Sequence, residues 1–171
     1  MSTFGQLSYE QLNWKPGPER WSVGQCFDHL VASGTSFLPI IDEVASGRKT
    51  RRAFERVPLL PKLFGKLLIK SLDPATTRKL KAPKQIEPAS SSVDRSILQR
   101  FVELQSELVS RINATATLDV DSVIITSPVA SIVTYSLMDA YRIIVVHEER
   151  HFRQAHRVTL ETAFPKSSVG S

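Results

Sequence analysis

The sequence predicts an all-α protein, an up-down-type helical bundle with a long connection that carries one short amphipathic helix. Three observations carry that expectation. Apolar residues recur at helical spacing over three long stretches, 22–46, 92–116 and 137–164. Capping signals stand at the start of the first and last of them. Prolines 58, 61, 74, 83 and 88 interrupt the segment between the first two. The chain has 171 residues, enough for one domain with its own core. Its hydrophobic share of 42% and charged share of 23% are those of an ordinary globular protein.

The first long helix opens at Ser22, an N-cap whose capping box is completed by Gln25, and stops at Gly47. Val23, Phe27, Leu30, Gly34, Phe37, Leu38, Ile41 and Ala45 form its apolar stripe, and Cys26, Ser33, Ile40 and His29 extend that stripe along one edge. The connection 47–91 holds a short helix at Leu59–Ser71. Lys62, Lys66 and Lys70 mark one face of it, and Leu60, Leu63, Phe64, Leu67 and Leu68 mark the other. Such a helix either lies on a membrane or packs across its own domain, and the second is the expectation here. Ile97, Phe101, Leu104, Leu108 and Ile112 are the stripe of the helix at 92–116. Residues 117–135, β-branched and broken by Pro128, read as an extended connection. Ser136 with Asp139 caps the last helix, on which Leu137, Tyr141, Ile144, Val145, His151, Phe152 and Ala155 share one arc. His147 lies beside that arc, and Glu148 falls within it. A carboxylate among apolar neighbours needs a partner, and a ligand histidine is the expected one.

Cys26 is the single cysteine, so an internal disulfide is impossible and a reducing compartment fits. The N-terminus lacks a signal-peptide pattern and no apolar run approaches the length of a membrane span, so the expected location is cytoplasmic. The net charge of +5 is unevenly placed. Residues 48–84 carry twelve Lys or Arg against Glu55 and Asp73. Such a segment fits nucleic acid, an anionic membrane or an anionic ligand, and equally a solvated loop face. Phe54 and Phe64 are too few aromatics for a base-stacking platform. The expected partners therefore include neither nucleic acid nor membrane.

The four histidines are the most informative residues. His147 and His151 stand four apart in H-E-E-R-H, so on a helix their rings leave one face about one turn apart. Two ring nitrogens so placed reach one divalent ion, and the same spacing also occurs on solvated helix faces. His29 is the only histidine outside that helix, which makes it the candidate third ligand. His156 points well away from His147 around the helix. The run also matches H-E-x-x-H literally, but the downstream ligand and strand-rich setting of a zinc protease are missing. Cys26 reads as a small core residue, since nothing in sequence pairs it with a base.

Residues 12–30, L-N-W-K-P-G-P-E-R-W-S-V-G-Q-C-F-D-H-L, and 147–154, H-E-E-R-H-F-R-Q, resemble the DinB-like family of metal-binding four-helix-bundle proteins. The loop L-K-A-P-K-Q-I-E-P at 80–88 resembles that of a subgroup. The resemblance spans nearly the whole chain. It implies a DinB-like four-helix bundle with a metal site on His29, His147 and His151, and a packing role for Trp21. Family members usually carry a full helix before the L-x-W-x-P stretch, whereas about ten residues precede Leu12 here. The first helix is therefore expected to be short or missing.

The family implies a divalent transition metal, and imidazole suits nickel, zinc or iron. It also implies, for an enzyme, activation of water or a low-molecular-weight thiol, giving a hydrolase or a thiol-dependent transferase acting on a small-molecule substrate. Glu148, Arg150 and Gln154 are candidates for orienting ligands or substrate. The alternative is a non-catalytic metal- or ligand-binding stress-response protein. With one helix lacking, apolar faces of the three long helices want a cover, and a homodimer is the expected remedy, with the Leu59–Ser71 helix as the competing internal cover.

Overall fold

Ser22 accepts from the Gln25 amide at 3.1 Å, and the Gln25 side chain accepts from the Ser22 amide at 3.2 Å. This reciprocal box starts the central helix of the computed structural model, which describes residues 2–75, 81–88 and 92–166. Two short helices come before it, α1 (Ser2–Gly5) and α2 (Tyr9–Asn13). The central helix α3 (Val23–Ala45) is followed by α4 (Leu60–Leu72) and α5 (Ser96–Ala114). The strands β1 (Ile124–Ser127) and β2 (Ala130–Ser136) lead directly into α6 (Leu137–Thr159). No helix among the described residues is long and apolar enough to cross a membrane.

The first helix is short, as expected: α1 and α2 take the place of one long element. They still feed the core, because Phe4 and Leu12 are buried. Phe4, Phe27 and Phe152 meet with ring centroids 5.2–6.0 Å apart, and Phe101 joins Phe27 and Phe152 at 5.3 and 5.4 Å. Tilted and edge-on contacts of this kind add about 0.5–1.5 kcal/mol each beyond the area they bury.

α3 sits between α5 and α6 and packs on both. Its buried residues run almost all the way round it, wider than a single stripe. Gly34 makes the α5 contact possible: a Cβ there would lie 2.8 Å from a Leu104 methyl. Val93 and Asn13 tie the start of α5 to α2 through two bonds of 2.6 and 2.9 Å.

Three sequence expectations change. Residues 117–135 are more than an extended connection, since β1 and β2 form an antiparallel hairpin across the Pro128–Val129 turn, with Ile125 opposite Tyr135 and Thr126 opposite Thr134. The β-branched residues that mark the stretch as extended also suit a paired strand. On α4 the buried side is Pro61, Phe64, Gly65, Leu68, Ile69 and Leu72, so Leu63 and Leu67 lie outside, at 62% and 58% exposure. Gly65 sets that rotation: it presses on Asp139 of α6, where any Cβ would run into the carboxylate. On α6, Val145 is 62% exposed, because the helix turns the side bearing Ala140, Ile143, Ile144, His151 and Val158 inward instead.

The loop after α3 is anchored by Glu55, whose side chain is fully buried. It accepts from Lys49 at 2.6 Å, from the Arg52 amide at 2.9 Å and from Thr126 of β1 at 2.8 Å. Burial alone would raise its pKa, but the Lys49 ammonium and the two other donors outweigh burial and hold it below the usual 4.5. The ionised form is thus favoured by folding, and its contribution is full above pH 4.5 and fades as pH falls through the lowered pKa. Glu55→Ala strands the Lys49 charge and is expected to cost about 3–5 kcal/mol in urea unfolding at pH 7. The deficit relative to the parent chain should shrink as the melt is repeated toward pH 3.

Candidate metal centre

His29 lies on the second turn of α3, and α6 brings His147 and His151 opposite it. One ring nitrogen from each of the three falls within 4.8 Å of the others, and these three form a cluster with metal-ligand spacing among the described residues. Ring centroids are 4.5–4.9 Å apart. His29 and His151 are only 2% and 8% exposed. His156 is exposed, as its position on the helix requires.

Each ring has a hold that aims it. His29 donates from Nδ1 to the Ile86 carbonyl at 2.5 Å, which leaves its Nε2 as a lone pair. That Nε2 is 3.0 Å from Nε2 of His147. Nδ1 of His147 lies 3.2 Å from the Ser33 hydroxyl, one helical turn from His29. Ser33 can accept from Nδ1–H or donate to the bare nitrogen, so His147 can present either a hydrogen or a lone pair to His29. Trp21 stacks on His151 with ring planes 23° apart and centroids 5.6 Å apart, and tilts against His29 at 4.9 Å. Packing is thus its role, and the histidines are what it packs.

The donor set fits a divalent ion. A gap of 3.0 Å is shorter than two ligand bonds of about 2.1 Å, so His29 and His147 would be able to hold one ion together. Nδ1 of His151 is buried without a hydrogen-bond partner among the described residues, which is costly for a polar atom unless something binds there. Burial first, then neighbouring histidines and the Arg150 charge, holds the pKa of His147 and His151 well below the usual range. Burial likewise lowers that of His29, against the pull of the Ile86 carbonyl and Asp28. Neutral imidazoles are the form that ligates metal.

The cluster opens into a cavity of about 1050 Å³. α4 walls it with Leu68, Ser71 and Leu72, the hairpin with Val133 and Tyr135, and Trp21 and Phe37 add aromatic surface. Arg20, Lys81, Arg150 and Arg157 stand on its rim against Glu19 and Glu87. Part of the basic segment, residues 76–80, and with it Leu80 of the loop at 80–88, lies outside the described residues.

Glu148 departs from expectation. Its partner is Gln105 of α5 at 2.8 Å and not a ligand histidine, because the carboxylate leaves α6 on the side facing α5. Burial raises its pKa, and Gln105 partly offsets that. This also removes the zinc-protease reading of H-E-x-x-H, which needs that glutamate at the ion. Arg150 and Gln154 do line the cavity, Arg150 donating to the Asp73 carbonyl at 3.3 Å. Cys26 is fully buried, and burial pushes its thiol pKa up to about 12, with Arg157 opposing weakly, so it is a core residue. The sequence reading missed Ser33 and the Ile86 carbonyl as the partners of His147 and His29. Ser33 stands four residues after His29 and was legible by spacing; a backbone carbonyl leaves no residue signal.

None of the curated proteins and none of the solved structures matches the chain. The sequence profile of the DinB superfamily matches residues 1–155, beginning before α1 and ending past His151, and the chain therefore belongs to the DinB superfamily.

Proposed function

We propose that this chain is a metal-dependent enzyme that holds a divalent transition ion (nickel, zinc or iron) on His29, His147 and His151 and acts on a small-molecule substrate in the adjoining cavity. The observation that carries this reading is the set of three histidines, His29 and His151 buried and His147 half-buried, converging at one wall of an open cavity. A bound ion with a free position would lower the pKa of water or of a low-molecular-weight thiol and make it a nucleophile near neutral pH, the chemistry of a hydrolase or a thiol-dependent transferase. The chain supplies the rest. Ile86 and Ser33 hold two rings in orientation, Trp21 covers two of them from one side, and the apolar walls exclude water from the substrate's body. Arg150 and Gln154 line the cavity, where they would orient the substrate. A second reading, a non-catalytic metal- or ligand-binding stress-response protein, is favoured by the turning away of Glu148, which takes the carboxylate of the histidine motif away from the three rings. The single buried cysteine supports a cytoplasmic location for either.

We also propose a homodimer through the α5–α6 side. Val102 and Val109 of α5 and Val145 of α6 remain exposed there, on the faces that the Gln105–Glu148 bond joins. α4 does not cover this side, since it packs on α6 and β2.

Three outcomes are expected. Elemental analysis of chain purified without an affinity tag should find about one transition ion per chain, lost in His29→Ala, His147→Ala and His151→Ala and kept in His156→Ala; stoichiometric metal in the His29 variant would sink the three-histidine site. The cobalt-loaded protein should change its visible spectrum when a small thiol is added, showing an exchangeable position. An unchanged spectrum would favour the non-catalytic reading. Light scattering at micromolar concentration should give twice 19.1 kDa, falling to the single value in Val109→Glu/Val145→Glu; the single value in the parent chain would refute the dimer.

A further inference from the structure

The side of α4 turned away from the domain is built like a surface that lies on lipid. Leu59, Leu63 and Leu67 stand four apart and are 79%, 62% and 58% exposed. Lys62, Lys66 and Lys70, also four apart and exposed, run beside them, so Leu63 and Leu67 share the outer half of the helix with a row of ammonium groups, and Leu59 stands at the cap just before its first turn. None of these six is used in packing, because Pro61, Phe64, Gly65, Leu68, Ile69 and Leu72 seat the helix on β2 and α6. The turn leading into the helix adds exposed Phe54 and Val57 beside exposed Arg51, Arg52 and Arg56. From Arg56 to Leu72 the sequence holds no acidic residue, and Glu55 just before it is buried against Lys49.

We propose that this face docks the protein on an anionic lipid bilayer, with the three leucines in the headgroup–acyl boundary and the lysines on the lipid phosphates. The charge pattern selects this occupant. A second copy meeting the same face by two-fold symmetry would set one row of lysines against another, which is repulsive. A nucleic acid would satisfy the lysines and leave the leucines in water. An anionic bilayer takes both at once. The proposal departs from the expectation of no membrane partner, which assumed that Leu63 and Leu67 are spent on the core. Because Leu68, Ser71 and Leu72 of the same helix wall the cavity, docking would hold that cavity about one helix diameter from the lipid.

The test is co-sedimentation of the full chain with phosphatidylcholine vesicles, with and without about one third phosphatidylglycerol. Binding is expected only with the anionic lipid and should fall at high salt. Leu63→Glu/Leu67→Glu should abolish it, and each of Lys62→Gln, Lys66→Gln and Lys70→Gln should weaken it about fivefold. All five side chains are exposed, so circular dichroism and metal content should not change, and loss of the metal site in other variants should leave vesicle binding intact. A chain that stays in the supernatant with anionic vesicles overturns the proposal. So does a leucine variant that sediments like the parent, or one that instead halves the mass seen by light scattering, which would make the face a contact between copies.

Discussion

Three imidazoles crowd within a few ångströms of one another between α3 and α6, and the packing around them favours their uncharged form. Three charged histidines at ring separations under 5 Å would repel, and burial would add to the cost of each. The fold resolves this by closing α3 on α6 at the level of His29 and capping the rings with Trp21. The backbone carbonyl of Ile86 fixes one ring and the Ser33 hydroxyl holds a second. The price is a pair of facing nitrogens and one bare buried nitrogen, an arrangement that gains most from a cation.

The two partners of α6 do different work. α3 gives His29 and most of the core. α4 gives a wall, and its tight crossing at Gly65 leaves its leucine row facing outward. α5 stays on the far side, linked to α6 through Gln105 and Glu148. The carboxylate in the middle of the histidine motif thereby serves the joint between two helices while its neighbours on the same turn serve the site.

Much of this was legible in the sequence because it rests on periodicity and caps. Ser22 with Gln25 and Ser136 with Asp139 mark the starts of α3 and α6, and the four-residue step between His147 and His151 survives any small error in helix boundaries. His29 could be named only as the remaining histidine and through the family resemblance. What stayed hidden depends on rotation and on backbone. The apolar surface of α6 is wider than one stripe, so Val145 and Ile143 compete for the interior, and spacing alone does not say which wins. On α4 that choice falls to Gly65, a residue with no side chain to weigh. The hairpin was visible as extended chain but not as a pair, since pairing needs a partner strand and a turn to set the register.

The anchoring of His29 has a consequence for how such a site can change over evolutionary time. Its orienting group is a main-chain oxygen in the connection between α4 and α5, at the end of the short 3-10 turn Lys84–Ile86. Altering the length or stiffness of that loop would shift the carbonyl, and with it the direction and basicity of the ring, while all three histidines stayed in the sequence. For an ion held by the three histidines, affinity, preference and rate of release would then be adjustable from a main-chain contact outside those rings.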